Sequence, residues 1–184
     1  NGEAGDYGLS LGTSASGTSA DTYLSSPGII LDGEGHVTMP RQSAFLAYNS
    51  STDPDISTNT LHTVEFNTVV FDQNDNYDNS TDTFTAPVAG KYMLGFHLRL
   101  ASIDTAATRY YCGIKTSQRT HTGPIIDPNY SADLLYYSME SSTLADMDAG
   151  DTAYITLYQQ NGTAQTDIYG TSSPQTRFYG YLVA

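Results

Sequence analysis

Residues 71–82, FDQNDNYDNSTD, set Asp72, Asp75 and Asp78 among Asn74, Asn76 and Asn79. Oxygen donors this dense are the raw material of a calcium site. An EF-hand loop takes oxygens at alternate positions, a glycine at the sixth and a bidentate glutamate at the twelfth. Counted from Asp72, the sixth residue is Tyr77 and the twelfth is Thr83, and no helical spacing flanks the run. The EF-hand is therefore excluded. A looser Ca2+ site using Asp72, Asp75 or Asp78 stays open, beside the plainer expectation that Asn and Asp satisfy the backbone of a turn.

Covalent and acid–base chemistry has little to work with. The histidines, His36, His62, His97 and His121, form no pair at metal-ligand spacing, and Cys112 is the only cysteine. No serine sits on a strand-to-helix elbow. No catalytic residue is expected, the chain is read as non-enzymatic, and no cofactor beyond the Ca2+ question is implied. Binding has more to offer. Alternation along TAYITLYQ sends Tyr154 and Tyr158 to the face opposite Ile155 and Leu157, and turns Tyr111, Arg109, Lys115, His97 and Arg99 outward. Tyrosine rings beside polar donors stack on sugars and hydrogen-bond their hydroxyls. Five of the seven Lys and Arg lie between Lys91 and Arg119 in a chain of net charge −13. Tyr111, Tyr154, Tyr158, Arg99, Arg109 and Lys115 are thus the candidate ligand residues, for an anionic or glycan ligand. The stretches 120–131 and 159–175 read as long exposed loops, where recognition often resides.

The elements that must carry these residues are strands. Short runs with turn chemistry between them recur from Ala44 onward: AFLAY, TVVF, TFTA, KYMLGFHLRL, YYCGIK, DLLYYSME, TAYITLYQ and RFYGYLV. In KYMLGFHLRL, Tyr92, Leu94, Phe96, Leu98 and Leu100 share one face, a strict period of two that puts that face in a core. Regular short strands predict an all-β, antiparallel two-sheet sandwich or jelly roll over 44–184. Residues 29–43 read as a β-hairpin lead-in, and 1–28, rich in Gly, Ser and Thr, as a linker or shaft-associated segment. Twenty acidic against seven basic residues argue against nucleic acid and against an anionic membrane surface. No apolar run approaches the roughly 20 residues of a spanning helix, so membrane insertion is not expected. Residue 1 is Asn, so the chain is expected to be processed or a piece of something longer.

Phe66, Asp72, Tyr77, Phe84, Gly90, Tyr92 and Phe96 fall at the spacing of the signature of the complement C1q globular-head family, departing from it at Leu94. FTAPVAGKYML, GDTAYITL and the closing FYGYLVA are also similar to segments of that family. The resemblance runs from Ala44 to the end. It implies a ten-stranded jelly roll shared with the tumour-necrosis-factor group, assembled as a threefold homotrimer without enzymatic activity. It further implies that strands 91–100, 109–116 and 152–159 lie together on an outer sheet. In this region Pro87 and Gly90 are expected to turn the chain, glycine by accepting positive φ.

The sequence also argues for assembly on its own. RFYGYLV and DLLYYSME are apolar or aromatic on both faces, whereas a sandwich strand has one inner face. The second face needs a cover, and Tyr137, Tyr179 and Tyr181, with Phe45 or Tyr48, are expected to line a threefold interface. Finally, LDGEGHVTMPRQSAFLAY resembles the lead-in to such heads in bacteriophage fibres and environmental bacterial proteins. The expectation is a trimeric virion appendage, a knob of a tail or head fibre at the virion surface or outside the cell, attaching to a host glycan or protein receptor. Its partners would be itself, other virion or fibre proteins and that receptor. The alternatives are a structural trimerisation cap or capsid decoration protein, and a secreted lectin-like head.

Overall fold

A computed structural model describes residues 9–11, 28–31 and 34–184. Two units divide the chain, Asn1–Gln42 and Ser43–Ala184. In the first, β1 (Leu9–Leu11), β2 (Ile29–Leu31) and β3 (Val37–Thr38) form an antiparallel sheet in the order β1-β2-β3. The expected 29–43 hairpin lead-in contains its β2–β3 arm. Within 1–28, read as a linker or shaft-associated segment, Leu9–Leu11 pairs with Ile29–Leu31. An apolar–polar–apolar triplet is too short to stand out from Gly- and Ser-rich flanks, and pairing with a neighbour is what makes it a strand. Apart from Gly28, the rest of that segment lies outside the described residues.

The second unit contains β4 (Ala44–Tyr48), β5 (Leu61–Thr63), β6 (Thr68–Gln73), β7 (Tyr77–Asp78), β8 (Thr83–Thr85), β9 (Gly90–Ile103), β10 (Arg109–Thr116), β11 (Thr120–Ile126), β12 (Leu134–Met147), β13 (Thr152–Gln160), β14 (Asp167–Ile168) and β15 (Arg177–Leu182). Two antiparallel sheets face each other across the core. One runs β12-β9-β15-β4-β6 with β14 on β9; the other runs β11-β10-β13-β8-β7 with β5 on β13. We call them the β9 sheet and the β13 sheet. This is the all-β jelly roll expected, and among the described residues no helix is long and apolar enough to cross a membrane.

Alternation builds the core as read. Tyr92, Leu94, Phe96, Leu98 and Leu100 are all buried, opposite Ile155, Leu157 and Tyr110 of the other sheet. At one end the aromatics close into a box. Phe45 stacks on Tyr77 at 5.1 Å and on Phe84 at 4.8 Å, while Phe178 meets Phe45 edge-on at 4.9 Å. Offset and edge contacts of this kind add about 0.5–1.5 kcal/mol per pair beyond burial. The Tyr77 hydroxyl donates to the Phe66 carbonyl at 3.3 Å, so the ring is fixed at both ends. The signature spacing thus exists because its aromatics meet across two sheets.

Several expectations are corrected here. Phe45 is 1 % exposed inside this box, so it cannot line an interface. Tyr137 also turns inward and packs on the core, because the inward set of β12 is the one containing Met139, Ala145 and Met147. β9 joins β15 and β4, not β10 and β13, which removes Arg99 and His97 from the face of Tyr111 and Tyr158. The stretch 120–126 is not loop but strand β11, paired along β10 with a bulge opposite Cys112. Gly90 does not adopt positive φ. It is required by close approach: a Cβ there would lie 2.7 Å from the Ala184 carbonyl oxygen and from Leu182 Cδ1.

The acidic run proves to be a crossing between sheets, since β6 pairs with β4 while β7 pairs with β8. Asn74 and Asp75 both take left-handed backbone there, a conformation Asn and Asp tolerate. Asp72 Oδ2 accepts the Tyr77 N–H at 2.8 Å, and Asp78 Oδ1 accepts the Ser80 N–H at 2.8 Å. The carboxylates hold turns. Among the described residues no group of three His, Cys, Asp or Glu is placed to hold a metal ion, so Asp72, Asp75 and Asp78 are not brought together as a ligand set.

Candidate functional site

The outward faces of the two sheets are the surfaces on which chemistry can act, and strand register fixes who neighbours whom. Residues directly opposite in an antiparallel pair share a face. On the β13 sheet one row reads Ile125, Tyr111, Tyr158, Leu61 across β11, β10, β13 and β5. Tyr111 and Tyr158 stack at 4.8 Å with 21° between planes. The next row is Thr122, Gly113, Thr156, Thr63. It is low because Gly113 has no side chain and Thr156 is buried, its hydroxyl donating to the Gly113 carbonyl at 3.4 Å. The third row brings Thr120, Lys115 and Tyr154 together, with Lys115 Nζ 5.8 Å from the Tyr154 ring centre. Arg109 stands one row outside the Tyr111 ridge, opposite Gln160.

The outward face of the β9 sheet is different in kind. One row places Leu144, Met93, Tyr181 and Ala44 side by side; the next places Ser142, Gly95, Tyr179, Leu46 and Phe71. Leu144 is 55 % exposed, Phe71 50 % and Tyr181 46 %. Tyr179 lies over Gly95, where an added Cβ would come within 2.5 Å of its ring. The missing side chain is the seat of the ring. Between Leu46, Phe71, Tyr179 and Tyr181 the face dips into a shallow apolar hollow of about 420 Å³.

Toward the other end of the same face the rows turn polar: Glu140, His97, Arg177 and Tyr48 stand in line. His97 Nδ1 donates to the Gln175 carbonyl at 2.5 Å, and Arg177 donates to the Pro174 carbonyl at 3.1 Å. Arg99 stacks on Tyr136 at 4.1 Å and Tyr169 at 5.1 Å and donates to the Gln175 side chain. Cation–π contact with two rings commits this guanidinium to the fold. Cys112 is a core residue, its thiol pushed up to about 12 by burial, far from the reactive thiolate range.

The model of the C1q domain matches residues 44–183. The chain belongs to the C1q domain family. Among solved structures, the globular domain of zebrafish complement 1qA protein is similar with a TM-score of 0.58 at 17 % identity, covering 78 % of this chain and 98 % of that one. Eiger TNF from S. frugiperda gives 0.54 at 9 % identity, over 78 % and 94 % of the two chains. Murine APRIL gives 0.52 at 15 % identity, over 77 % and 99 %. At such identities these likenesses concern the fold. No curated protein matches the sequence.

Placed on the C1q domain, the sequence-derived residues separate into three groups. Tyr111, Tyr154, Tyr158 and Lys115 come together on the outward β13 face, with Arg109 at its edge. Tyr179, Tyr181 and Tyr48 share the outward β9 face. Phe45, Tyr137 and Arg99 belong to neither group. The apolar breadth of the β9 face was carried by residues the sequence reading passed over: Leu46, Phe71, Met93 and Leu144. The alternating TLADM in the extension of β12 was the signal for Leu144.

Proposed function

We propose that this C1q domain is the head of a non-enzymatic, homotrimeric appendage at a virion or cell exterior, a fibre knob that attaches the particle to a host surface. One observation carries the assembly: the contiguous rows Leu144–Met93–Tyr181 and Tyr179–Leu46–Phe71 on the β9 sheet. Monomeric proteins rarely leave contiguous apolar patches beyond a few hundred Å² in water. Closed cyclic symmetry covers such a face with surfaces of sister chains, and membership of the C1q family favours threefold closure. The fibre context is supported by the stretch 31–48, which resembles fibre lead-ins. The outward β13 face, bearing the stacked Tyr111–Tyr158 pair, Lys115 and Arg109, is the surface left for a partner.

The test has two arms. Sedimentation of the full chain gives a trimer, and the purified trimer added to host cells blocks adsorption of the particle encoded by the neighbouring genes. A trimer that leaves adsorption untouched replaces the attachment role with a structural cap or a secreted head. A monomer removes the assembly.

A further inference from the structure

We propose that the outward β13 face is a binding slot for an acidic saccharide, one carrying a carboxylate on a pyranose ring. The slot deepens the attachment role proposed above and rests on it, but it is complete within one protomer. Its walls are the stacked pair Tyr111 and Tyr158 on one side and Tyr154 with Lys115 on the other. The walls are four residues apart along β10 and β13, about 13 Å between backbone rows at the rise of an antiparallel strand. Between them lie the small residues Gly113 and Thr156, both buried, with the β11 backbone at the His121 carbonyl closing over Gly113, and the exposed hydroxyl residues Thr122 and Thr63 stand at the two ends of that row.

Each feature matches part of one ligand chemistry. A pyranose has an apolar face of C–H bonds and an equator of hydroxyls. Half-buried tyrosine rings offer flat apolar area at little entropic cost and a hydroxyl at the tip. Threonine side chains at the ends of that row both donate and accept. The occupant's charge follows from Lys115. Among the described residues its ammonium has no carboxylate within ion-pair distance, only the Tyr154 ring, whereas Lys91 of the same chain is paired to Asp146 at 2.5 Å. An unpaired cation beside an aromatic wall, in a chain of net charge −13, marks where a ligand carboxylate is favoured. Arg109 adds a second cation beyond the Tyr111 ridge. Glu65 is exposed just beyond Thr63 and repels an anion from that end, so the acidic sugar is oriented with its carboxylate toward β10.

Isothermal titration of the full chain with tetragalacturonate and with α2,3-sialyllactose tests this. At least one is expected to bind with a Kd below millimolar. Lys115→Gln should weaken that binding about tenfold, as should methyl esterification of the ligand carboxylate. Tyr154→Ala and Tyr158→Ala should each weaken it tenfold or more. All three substitutions are at half-exposed positions, and unchanged melting curves verify the fold. Three results overturn the slot: no binding of either sugar, equal binding of the methyl ester, or equal binding of hexaglutamate. Sedimentation of the same samples separates the claims. A trimer that binds neither sugar sinks the slot alone, while a monomer that binds sinks the trimeric reading alone.

Discussion

The two outward faces are built on the same plan and end in opposite characters. Each places two tyrosines on the outward side of a central strand, Tyr179 and Tyr181 on β15, Tyr154 and Tyr158 on β13. On the β9 sheet their row neighbours are Leu, Met, Ala, Ser, Gly and Phe; on the β13 sheet Tyr158 stands among Ile125, Tyr111 and Leu61, and Tyr154 beside Lys115 and Thr120. A tyrosine is amphipathic, so its neighbours decide whether its ring joins a dry surface or lines a wet one. Residue type alone does not distinguish an assembly face from a ligand face. The Thr and Lys rows of the β13 sheet, next to its apolar Ile125–Tyr158–Leu61 row, carry the difference.

That contrast can be broken by charge. Replacing Leu144 with Lys and Tyr181 with Glu should drop the sedimenting mass threefold, because buried unpaired charges would be repeated around the axis. The matched pair on the other face, Ile125→Lys with Leu61→Glu, should leave the mass unchanged. If both pairs dissociate the protein, the faces are not distinct.

Inward and outward positions on one strand sharpen it further. Phe45→Ala should cost about 3–5 kcal/mol of protomer stability in urea unfolding, the usual toll for emptying an aromatic core position. Leu46→Ala, its outward neighbour, should leave protomer unfolding near wild type and weaken association instead.

A smaller effect is expected at Gly95. An alanine Cβ there would meet the Tyr179 ring at 2.5 Å, so the ring must lift off the sheet. Association should weaken several-fold while the melting of the protomer barely moves, as read by sedimentation and circular dichroism.

The smallest lies at the rim, away from both faces. Asp82 is raised above the usual carboxylate range chiefly by burial, although its Oδ1 accepts the Phe66 N–H at 2.6 Å. A raised folded-state pKa means that this carboxyl favours folding at low pH and that the contribution is lost as pH rises through that value. Asp82→Asn keeps the acceptor and tolerates the left-handed backbone of the position. It should melt slightly higher than wild type at pH 7 and alike near pH 3, by calorimetry.

Legibility followed the range of the interactions. The core strand β9 was readable because five large apolar side chains alternate without a break. The Phe66-to-Phe96 spacing was readable because it records contacts between neighbouring segments. In AFLAY and DLLYYSME, by contrast, both faces are apolar. Alternation divides such a strand into two sets but does not say which set is inside, and Phe45 and Tyr137 were assigned to the wrong one. Sheet membership is fixed by partners far along the chain, which is why Arg99 was grouped with Tyr111 when it stacks between Tyr136 and Tyr169. β11 was hidden by Gly123 and Pro124, residues that usually mark a loop and here form a bulge.

The proposed assembly rests on the apolar β9 face being shared among copies. Sedimentation equilibrium of the full chain at micromolar concentration tests that most directly. The expected mass is three times the 19.9 kDa of the protomer. A single species at the protomer mass, with Tyr181 and Leu144 open to water, would contradict it.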